Sequence, residues 1–325
     1  MKKAVLIWLA LLLALSGCKP APAEPLEDDL IVVGISQVGA ESDWRVANSE
    51  SMKAVFTEEN GYRLLFDDAR QEQENQITAV RKFIQQQVDY IILMPLSESG
   101  WDSVLQEARE EGIPVILVDR MIDVADEGLY AAHVGSDFRA QGERAVSWME
   151  DYAEDKDDAL NIIHIQGTPG STAQLGRTAA LEDGLAIHSG WNLLTRLDGD
   201  FTQAKTYEVL GEYLSSQPGA DIDVVYCEND NEAFGAIQAL EEAGYPCGEG
   251  GVAVISFDAT RNCLKACLDG KIALAIECNP LLGPLVDEVI QSLEAGKTPE
   301  KQRYIEERQF TRANLTEELI DQREY

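Results

Sequence analysis

The sequence has 325 residues, of which 45% are hydrophobic and 26% are charged, as in an ordinary globular protein. This length is sufficient for two domains of usual size. The 58 acidic residues outnumber the 26 basic ones and give a formal net charge of −32. A chain this acidic is a poor partner for nucleic acid, which binds basic patches, and the even spread of acidic residues favours a solvated surface.

The N-terminus has the pattern of a bacterial export signal. Lys2 and Lys3 precede an apolar run from Ala4 to Leu15, which is short for a membrane span. The run ends in LSGC, which resembles the lipobox of bacterial lipoproteins, and this resemblance implies that Cys18 is acylated and becomes the first mature residue. The alternative is an ordinary cleaved signal with an incidental cysteine.

We therefore predict a lipoprotein signal peptide at residues 1–17 and a disordered tether at 18–29, a stretch rich in Pro, Ala and acidic residues. The mature protein is expected outside the cytoplasm, attached to the cell membrane only by its lipid. Five cysteines follow Cys18, so at least one is unpaired within a monomer, and their spacing predicts neither a metal site nor a disulfide map.

From Leu30 onward, apolar strand patterns alternate with amphipathic helix patterns. In the first half, predicted strands lie at 30–36, 63–67, 90–95 and 113–119, predicted helices at 44–60, 71–87 and 101–111, and a short crossover at 131–137. In the second half, predicted helices lie at 137–153, 172–188, 202–215, 231–243 and 281–295, and predicted strands at 160–167, 191–198, 223–230, 251–258 and 271–278. This alternation predicts an α/β protein with two doubly wound parallel sheets.

Polar side chains follow several of the predicted strands. Asp119 and Arg120 come directly after the apolar run VILV, Asn229 lies in YCEND, Asp258 lies in ISFDAT, and Arg177 lies in the helix that follows IQGTPGS. In open α/β sheets, ligands bind at the carboxyl ends of the strands. A loop ion pair would explain Asp119 and Arg120 alone, but four such ends in two halves predict a cleft between two domains.

From Leu30 to Tyr325 the chain resembles the sugar receptors of the type 1 periplasmic binding protein family, the ribose and galactose class of ABC-transporter substrate-binding proteins. The segments VGISQVGAESDWR, QEQENQITAVRKFI, SGWDSVLQEAREEGIPVILVDRMIDV and DGDFTQAK are most similar to galactofuranose-binding receptors within that class. The resemblance implies two Rossmann-like lobes joined by three crossover segments. It places residues 30–135 and 279–305 in an N-terminal lobe, and 136–278 and 306–325 in a C-terminal lobe.

The resemblance also implies a role for each polar residue at the strand ends. Asp119 would accept hydrogen bonds from two sugar hydroxyls, and Arg120 and Arg177 would donate to hydroxyl or ring oxygens. Asn229 can both donate and accept, and Asp258 corresponds to a sugar-binding aspartate of the class.

Four further positions complete the predicted site. Trp44 and Phe201 would cover the apolar faces of the sugar ring, and Arg45 would supply an additional donor suited to the exocyclic diol of a furanose. Cys278 falls near a ligand-binding glutamine of ribose receptors, so that contact is lost or moves to Glu277. Galactofuranose is the expected type of ligand, with fructose-like furanoses and pentoses left open.

The expected partners are thus a monosaccharide and an ABC permease, with no cofactor or metal and with the receptor as a monomer. One alternative is a receptor of the same fold that signals to a sensor kinase or chemoreceptor. Another is an exported enzyme that uses Asp119, Asp258 or Glu277 as paired acids in glycoside cleavage. The loop GTPGST suggests phosphate binding but lacks the Gly-Lys-Ser/Thr ending of a phosphate loop.

Overall fold

The computed structural model describes residues 30–154, 156–157, 159–248 and 250–325. The predicted signal peptide, the lipidation site Cys18 and the predicted tether all lie outside these residues. No helix within the described ranges is both long and apolar enough to cross a bilayer.

The strands form two six-stranded sheets. In chain order they are β1 (Ile31–Gln37), β2 (Tyr62–Asp68), β3 (Tyr90–Leu93), β4 (Val115–Val118), β5 (Ala132–Gly135), β6 (Leu160–Gln166), β7 (Trp191–Asp198), β8 (Val224–Cys227), β9 (Ala253–Asp258), β10 (Leu274–Glu277), β11 (Gln302–Tyr304) and β12 (Gln309–Phe310).

Helices connect the strands and cover the sheets. They are α1 (Asp43–Val55), α2 (Gln73–Gln85), α3 (Asp102–Glu110), α4 (Phe138–Glu154), α5 (Thr172–Ile187), α6 (Gln203–Ser216), α7 (Asp230–Glu242), α8 (Arg261–Leu268), α9 (Gly283–Glu294) and α10 (Glu317–Asp321).

The two sheets repeat one topology. Their strand orders are β11-β5-β4-β3-β1-β2 and β12-β10-β9-β8-β6-β7, so each strand of the first sheet has a counterpart in the second. All neighbouring strands are parallel except β10 and β12. We call each sheet with its packed helices a lobe, numbered in chain order. The predicted pair of doubly wound sheets is confirmed.

Each sheet is buried on both faces, which explains the continuous apolar runs of its central strands. Along β4, Ile116 and Val118 pack into one core with helices α1 and α9, while Val115 and Leu117 pack into another with α2 and α3. Successive side chains of a strand point to opposite faces, so both faces need apolar residues. The polar residues are consequently displaced to the strand ends.

The short elements differ from the sequence prediction. The predicted crossover at 131–137 contains strand β5, and only Ser136 and Asp137 separate it from α4. The predicted helix at 44–60 ends at Val55, and Glu58–Asn60 forms a separate 3-10 turn. Strands β11 and β12 and helix α10 were not predicted, because two to five residues are too few to establish a hydrophobic period.

The chain passes between the lobes three times, after β5, after β10 and after β11. We call these passages the three crossover segments: residues 136–137, 278–282 and 305–308. The residue limits predicted for the two lobes stay a prediction. The five cysteines of the described chain are all free thiols.

Candidate functional site

A small cavity lies between the lobes, at the carboxyl ends of their strands. Small-molecule sites are often found between domains, at this edge of the sheets. Eight of the nine predicted ligand-binding residues line it: Trp44, Arg45, Asp119, Arg120, Arg177, Phe201, Asn229 and Asp258. The structure therefore brings together residues that are up to 214 positions apart in the chain.

The first-lobe wall is a buried network of four charged groups. Arg45 Nη2 lies 2.7 Å from Asp119 Oδ2, and Arg45 Nε lies 3.0 Å from Glu41 Oε1. Arg120 lies 3.8 Å from Glu41 and 3.9 Å from Asp119, and its Nη1 donates to the carbonyl of Leu96. Each charge in this wall therefore has a neighbour of opposite sign.

Local backbone geometry aims this network into the cavity. Ser42 caps helix α1 by accepting from Arg45 N, which places Trp44 and Arg45 in the first turn. Asp119 directly follows β4 and has a φ of 65°, a left-handed conformation that is unusual for a residue other than glycine. Its carbonyl lies 3.0 Å from His133 Nε2. Such strain is often found at functional sites, where the surrounding structure holds it in place.

Three polar atoms of this network have no hydrogen-bond partner within the described residues. They are Glu41 Oε2, Arg45 Nη1 and Arg120 Nε, all buried and all on residues that line the cavity. An unsatisfied buried polar atom costs about 1–3 kcal/mol, so three at one cavity indicate a polar ligand.

The two arginines of this wall have opposite pKa shifts. Burial, together with the nearby positive charge of Arg45, lowers the pKa of Arg120 to about 10. Burial also disfavours charge on Arg45, but Asp119 and Glu41 outweigh this and raise its pKa. Both guanidiniums therefore remain charged at neutral pH and can donate hydrogen bonds only.

In the second-lobe wall, the guanidinium of Arg177 is held mainly by hydrogen bonds to uncharged groups. Arg177 donates through Nε and Nη2 to Gln141 Oε1, at 3.0 and 2.8 Å, and through Nη1 to the carbonyl of Glu228. Asp258 lies 3.7 Å from Arg177, and its carboxylate makes no hydrogen bond within the described residues. Burial raises the pKa of Asp258 well above its usual value, although Arg177 opposes the shift. This carboxyl group is therefore free to bind a ligand.

Asn229 and Phe201 are held by one buried glutamate. Asn229 caps helix α7 by accepting from Glu232 N, and its Nδ2 donates to the carbonyl of Phe201 at 3.1 Å. Glu232 accepts from Phe201 N and from Asn229 N. The Asn229 amide is therefore partly engaged by the protein and has one donor and one acceptor site left.

Apolar groups complete the cavity, in a cluster that joins both lobes: Trp44, Phe138, Ala173, Phe201 and Cys278. Trp44 is fixed by its Nε1, which donates to the carbonyl of Cys278 at 2.6 Å. Aromatic faces of this kind pack against the C–H surfaces of a sugar ring. Four cavity residues were not predicted from sequence: Phe138 and Ala173, at the starts of α4 and α5, and Glu41 and Ser42, which precede α1.

Glu277 is the exception among the predicted site residues, and we correct its placement. It is the last residue of β10 and points away from the cavity, where it accepts from Arg323 Nη1 at 2.6 Å and from Arg308 N at 2.8 Å. Burial opposes ionisation of Glu277, but Arg323 outweighs it and lowers its pKa. Because side chains alternate along a strand, the next residue, Cys278, takes the cavity position.

The lobes are in direct contact around the cavity. Three backbone amides of the first lobe donate across the gap: Asp43 N to Asn231 Oδ1 at 3.1 Å, Glu98 N to Gly170 O at 3.1 Å, and Met121 N to Thr172 Oγ1 at 2.9 Å. We call these three the latch amides. Since Trp44 and Phe201 are about 95% buried, the structure is a closed form.

The sequence profile of the periplasmic binding protein domain matches residues 33–281. The chain belongs to this family. It is 36% identical to the galactofuranose-binding protein YtfQ of Escherichia coli over 273 residues, which are 83% of this chain and 85% of that protein.

Two solved structures are similar to the whole fold. One is a Mycobacterium smegmatis protein in complex with β-D-fucofuranose, with 38% identity and a TM-score of 0.83 over 87% of this chain and 92% of that one. The other is the periplasmic binding component of the arabinose ABC transporter of Shewanella, bound to L-arabinofuranose, with 37% identity and a TM-score of 0.82 over the same shares. The relatives from Escherichia coli and Shewanella are both named as binding proteins.

Proposed function

We propose that this protein is the substrate-binding component of an ABC sugar importer and that it binds one furanose in the cleft between its lobes. The observation that carries the proposal is the closed cavity with unpartnered buried polar atoms of Glu41, Arg45 and Arg120. Relatives that bind galactofuranose, fucofuranose and arabinofuranose support the ring form. Galactofuranose is the ligand that we place first.

The charge of the cavity favours an uncharged ligand. Three guanidiniums, those of Arg45, Arg120 and Arg177, face the three carboxyl groups of Glu41, Asp119 and Asp258. Together they leave no large excess of either charge for a phosphate or a carboxylate to neutralise. Hydroxyl groups can satisfy both kinds of partner, since each donates one hydrogen bond and accepts two.

We propose roles for eight residues. Asp119 and Asp258 accept from sugar hydroxyls, while Arg45, Arg120, Arg177 and Asn229 donate to hydroxyl and ring oxygens. Trp44 and Phe201 cover the ring. The residues come from both lobes, so a bound sugar stabilises the closed form relative to the open one, and a permease can recognise that form. No step of this cycle breaks a bond in the ligand, which makes the protein a receptor and not an enzyme.

We further propose that the mature receptor is a monomer anchored by lipid at Cys18, with 18–29 as its tether. In cells grown with a radiolabelled fatty acid, the wild type should incorporate the label and the Cys18→Ser variant should not. Absence of label from the wild type, or equal label in both, would contradict the anchor and leave the sugar site unaffected.

The first experiment is a thermal shift of the chain without its predicted signal peptide, against galactofuranose, fructose, ribose, arabinose, galactose and inositol. A ligand that binds only the folded state at 100 times its Kd stabilises it by about 2.7 kcal/mol. We expect a large shift with one furanose and recovery of that sugar unchanged. Absence of a shift with every sugar, or conversion of the sugar, would overturn the proposal.

A further inference from the structure

Glu307 lies where the three crossover segments meet. It belongs to the third segment, between β11 in the first sheet and β12 in the second. Its Oε1 accepts from Ser136 Oγ of the first segment at 2.5 Å and from Asn279 N of the second at 3.1 Å. One carboxyl group therefore joins all three connections between the lobes.

The other oxygen of Glu307 is linked to the cavity. Its Oε2 accepts from Gln141 Nε2 at 2.7 Å, and Gln141 Oε1 accepts from both Nε and Nη2 of Arg177. Gln141 is fully buried, so its amide has no water as a substitute partner. Its orientation is fixed at both ends, because a rotated amide would turn its NH₂ group towards the Arg177 guanidinium, which is also a donor.

We propose that Glu307 is a positioning residue that holds the crossover segments in their closed geometry and, through Gln141, orients Arg177 in the cavity. The proposal rests on the proposed function, since it concerns the closure that a bound sugar would favour. A carboxylate suits this position because it accepts at both oxygens, and every group that faces it here donates.

The substitution Glu307→Gln tests this without changing the size of the side chain. The new amide has one accepting oxygen, so its NH₂ group must face either the Gln141 amide or the donors of Ser136 and Asn279. The added substitution Gln141→Glu restores the pairing with both neighbours, because a carboxylate at position 141 accepts from the new amide at position 307 and from Arg177. It gives up only the longer bond, of 3.3 Å, from Gln141 Nε2 to the Glu277 carbonyl. The net charge of this double variant equals that of the wild type. Glu306→Gln is the matched control, because Glu306 is exposed and adjacent.

Hydrogen exchange at the latch amides Asp43, Glu98 and Met121 measures opening directly, because these amides are bonded across the lobes. We expect exchange at all three to be about tenfold faster or more in Glu307→Gln than in the wild type. Amides within strands β4 and β6 should keep their protection. Glu306→Gln should match the wild type, and the double variant should return towards it.

Two results would overturn the proposal: unchanged exchange at the latch amides of Glu307→Gln, or no recovery in the double variant. Equal acceleration at the latch amides and within β4 and β6 would show a general loss of stability and would also overturn it. This measurement needs no sugar. Failure of every sugar to bind would therefore count against the proposed function alone, while unchanged exchange with sugar binding intact would count against Glu307 alone.

Discussion

The two lobes share one strand order, yet they hold their cavity charges differently. Asp119 follows β4 and Asp258 ends β9, the corresponding strand of the second sheet, and both have positive φ angles, of 65° and 97°. Asp119 lies 2.7 Å from Arg45 in a network of four charges. Asp258 has one ion-pair partner within the described residues, Arg177 at 3.7 Å, and its carboxyl group makes no hydrogen bond there.

Asp119 and Asp258 show two ways in which a protein can position a carboxyl group for ligand binding. In the first lobe, ion pairs fix the geometry in advance, so removal of one member leaves one buried charge in excess. In the second lobe, the guanidinium is held by the Gln141 side chain and the Glu228 carbonyl, and Asp258 adds little to the protein itself. The two aspartates should therefore differ more in their contribution to folding than in their contribution to binding.

The largest expected effect is that of Asp119→Ala. It removes the acceptor for sugar hydroxyls and leaves the two buried guanidiniums of Arg45 and Arg120 with Glu41 as their one remaining carboxylate in this network. We expect binding to weaken by about 3 kcal/mol or more and the free energy of unfolding to fall by about 3–5 kcal/mol. Titration calorimetry and urea unfolding measure the two. Asp151→Ala, at an exposed position of α4, is the control. A variant that retained both affinity and stability would show that Asp119 has neither role.

A smaller effect on folding is expected for Asp258→Asn. Binding should weaken by about 1.5–3 kcal/mol, while the free energy of unfolding at pH 5 should change by no more than about 1 kcal/mol. If the unfolding change equalled that of Asp119→Ala, the contrast between the two lobes would be refuted.

The pH dependence of unfolding sharpens this contrast. Burial raises the pKa of Asp258 in the folded state above the value of about 3.9 in the unfolded chain. The stability that its protonated form contributes is complete below about pH 4 and is lost as the pH rises through the folded-state pKa. Asparagine does not titrate. Without ligand, Asp258→Asn should therefore gain stability relative to the wild type as the pH rises from 5 to 8. Urea unfolding at pH 5 and at pH 8 measures this difference in the free energy of unfolding, and an equal difference at the two pH values would contradict the prediction.

The parts of this structure that could be predicted from sequence are those with a repeating physical signal. Long buried strands are continuous apolar runs, so the polar residues that end them, such as Asp119 and Asp258, were predicted directly. Glu277 was misplaced because adjacent strand residues face opposite sides, and the pattern IEC does not show which of Glu277 and Cys278 faces the cavity.

Contacts between segments that are distant in the chain cannot be predicted from the local sequence pattern. Glu41 and Phe138 reach the cavity only because α1 and α4 begin at its edge, and nothing in their sequence surroundings distinguishes them from surface residues. Glu307 lies in the charged stretch YIEER, where it is indistinguishable from Glu306 until the crossover segments meet. Such positions depend on the tertiary arrangement and not on residue type or period.

The smallest predicted effect concerns Gly167, which lies in the loop GTPGST that follows β6. A Cβ atom at this position would lie 2.0 Å from the Phe201 ring, so Gly167→Ala must displace the ring from the cavity wall. We expect affinity to fall about tenfold with the fold intact. The displaced Phe201 ring loses its packing in the cavity wall, but no buried charge loses its partner. Gly211→Ala in α6, where no atom lies within 4 Å, is the matched control and should leave affinity unchanged. Calorimetry that gave equal affinities for the two variants would show that the position of Phe201 does not determine binding.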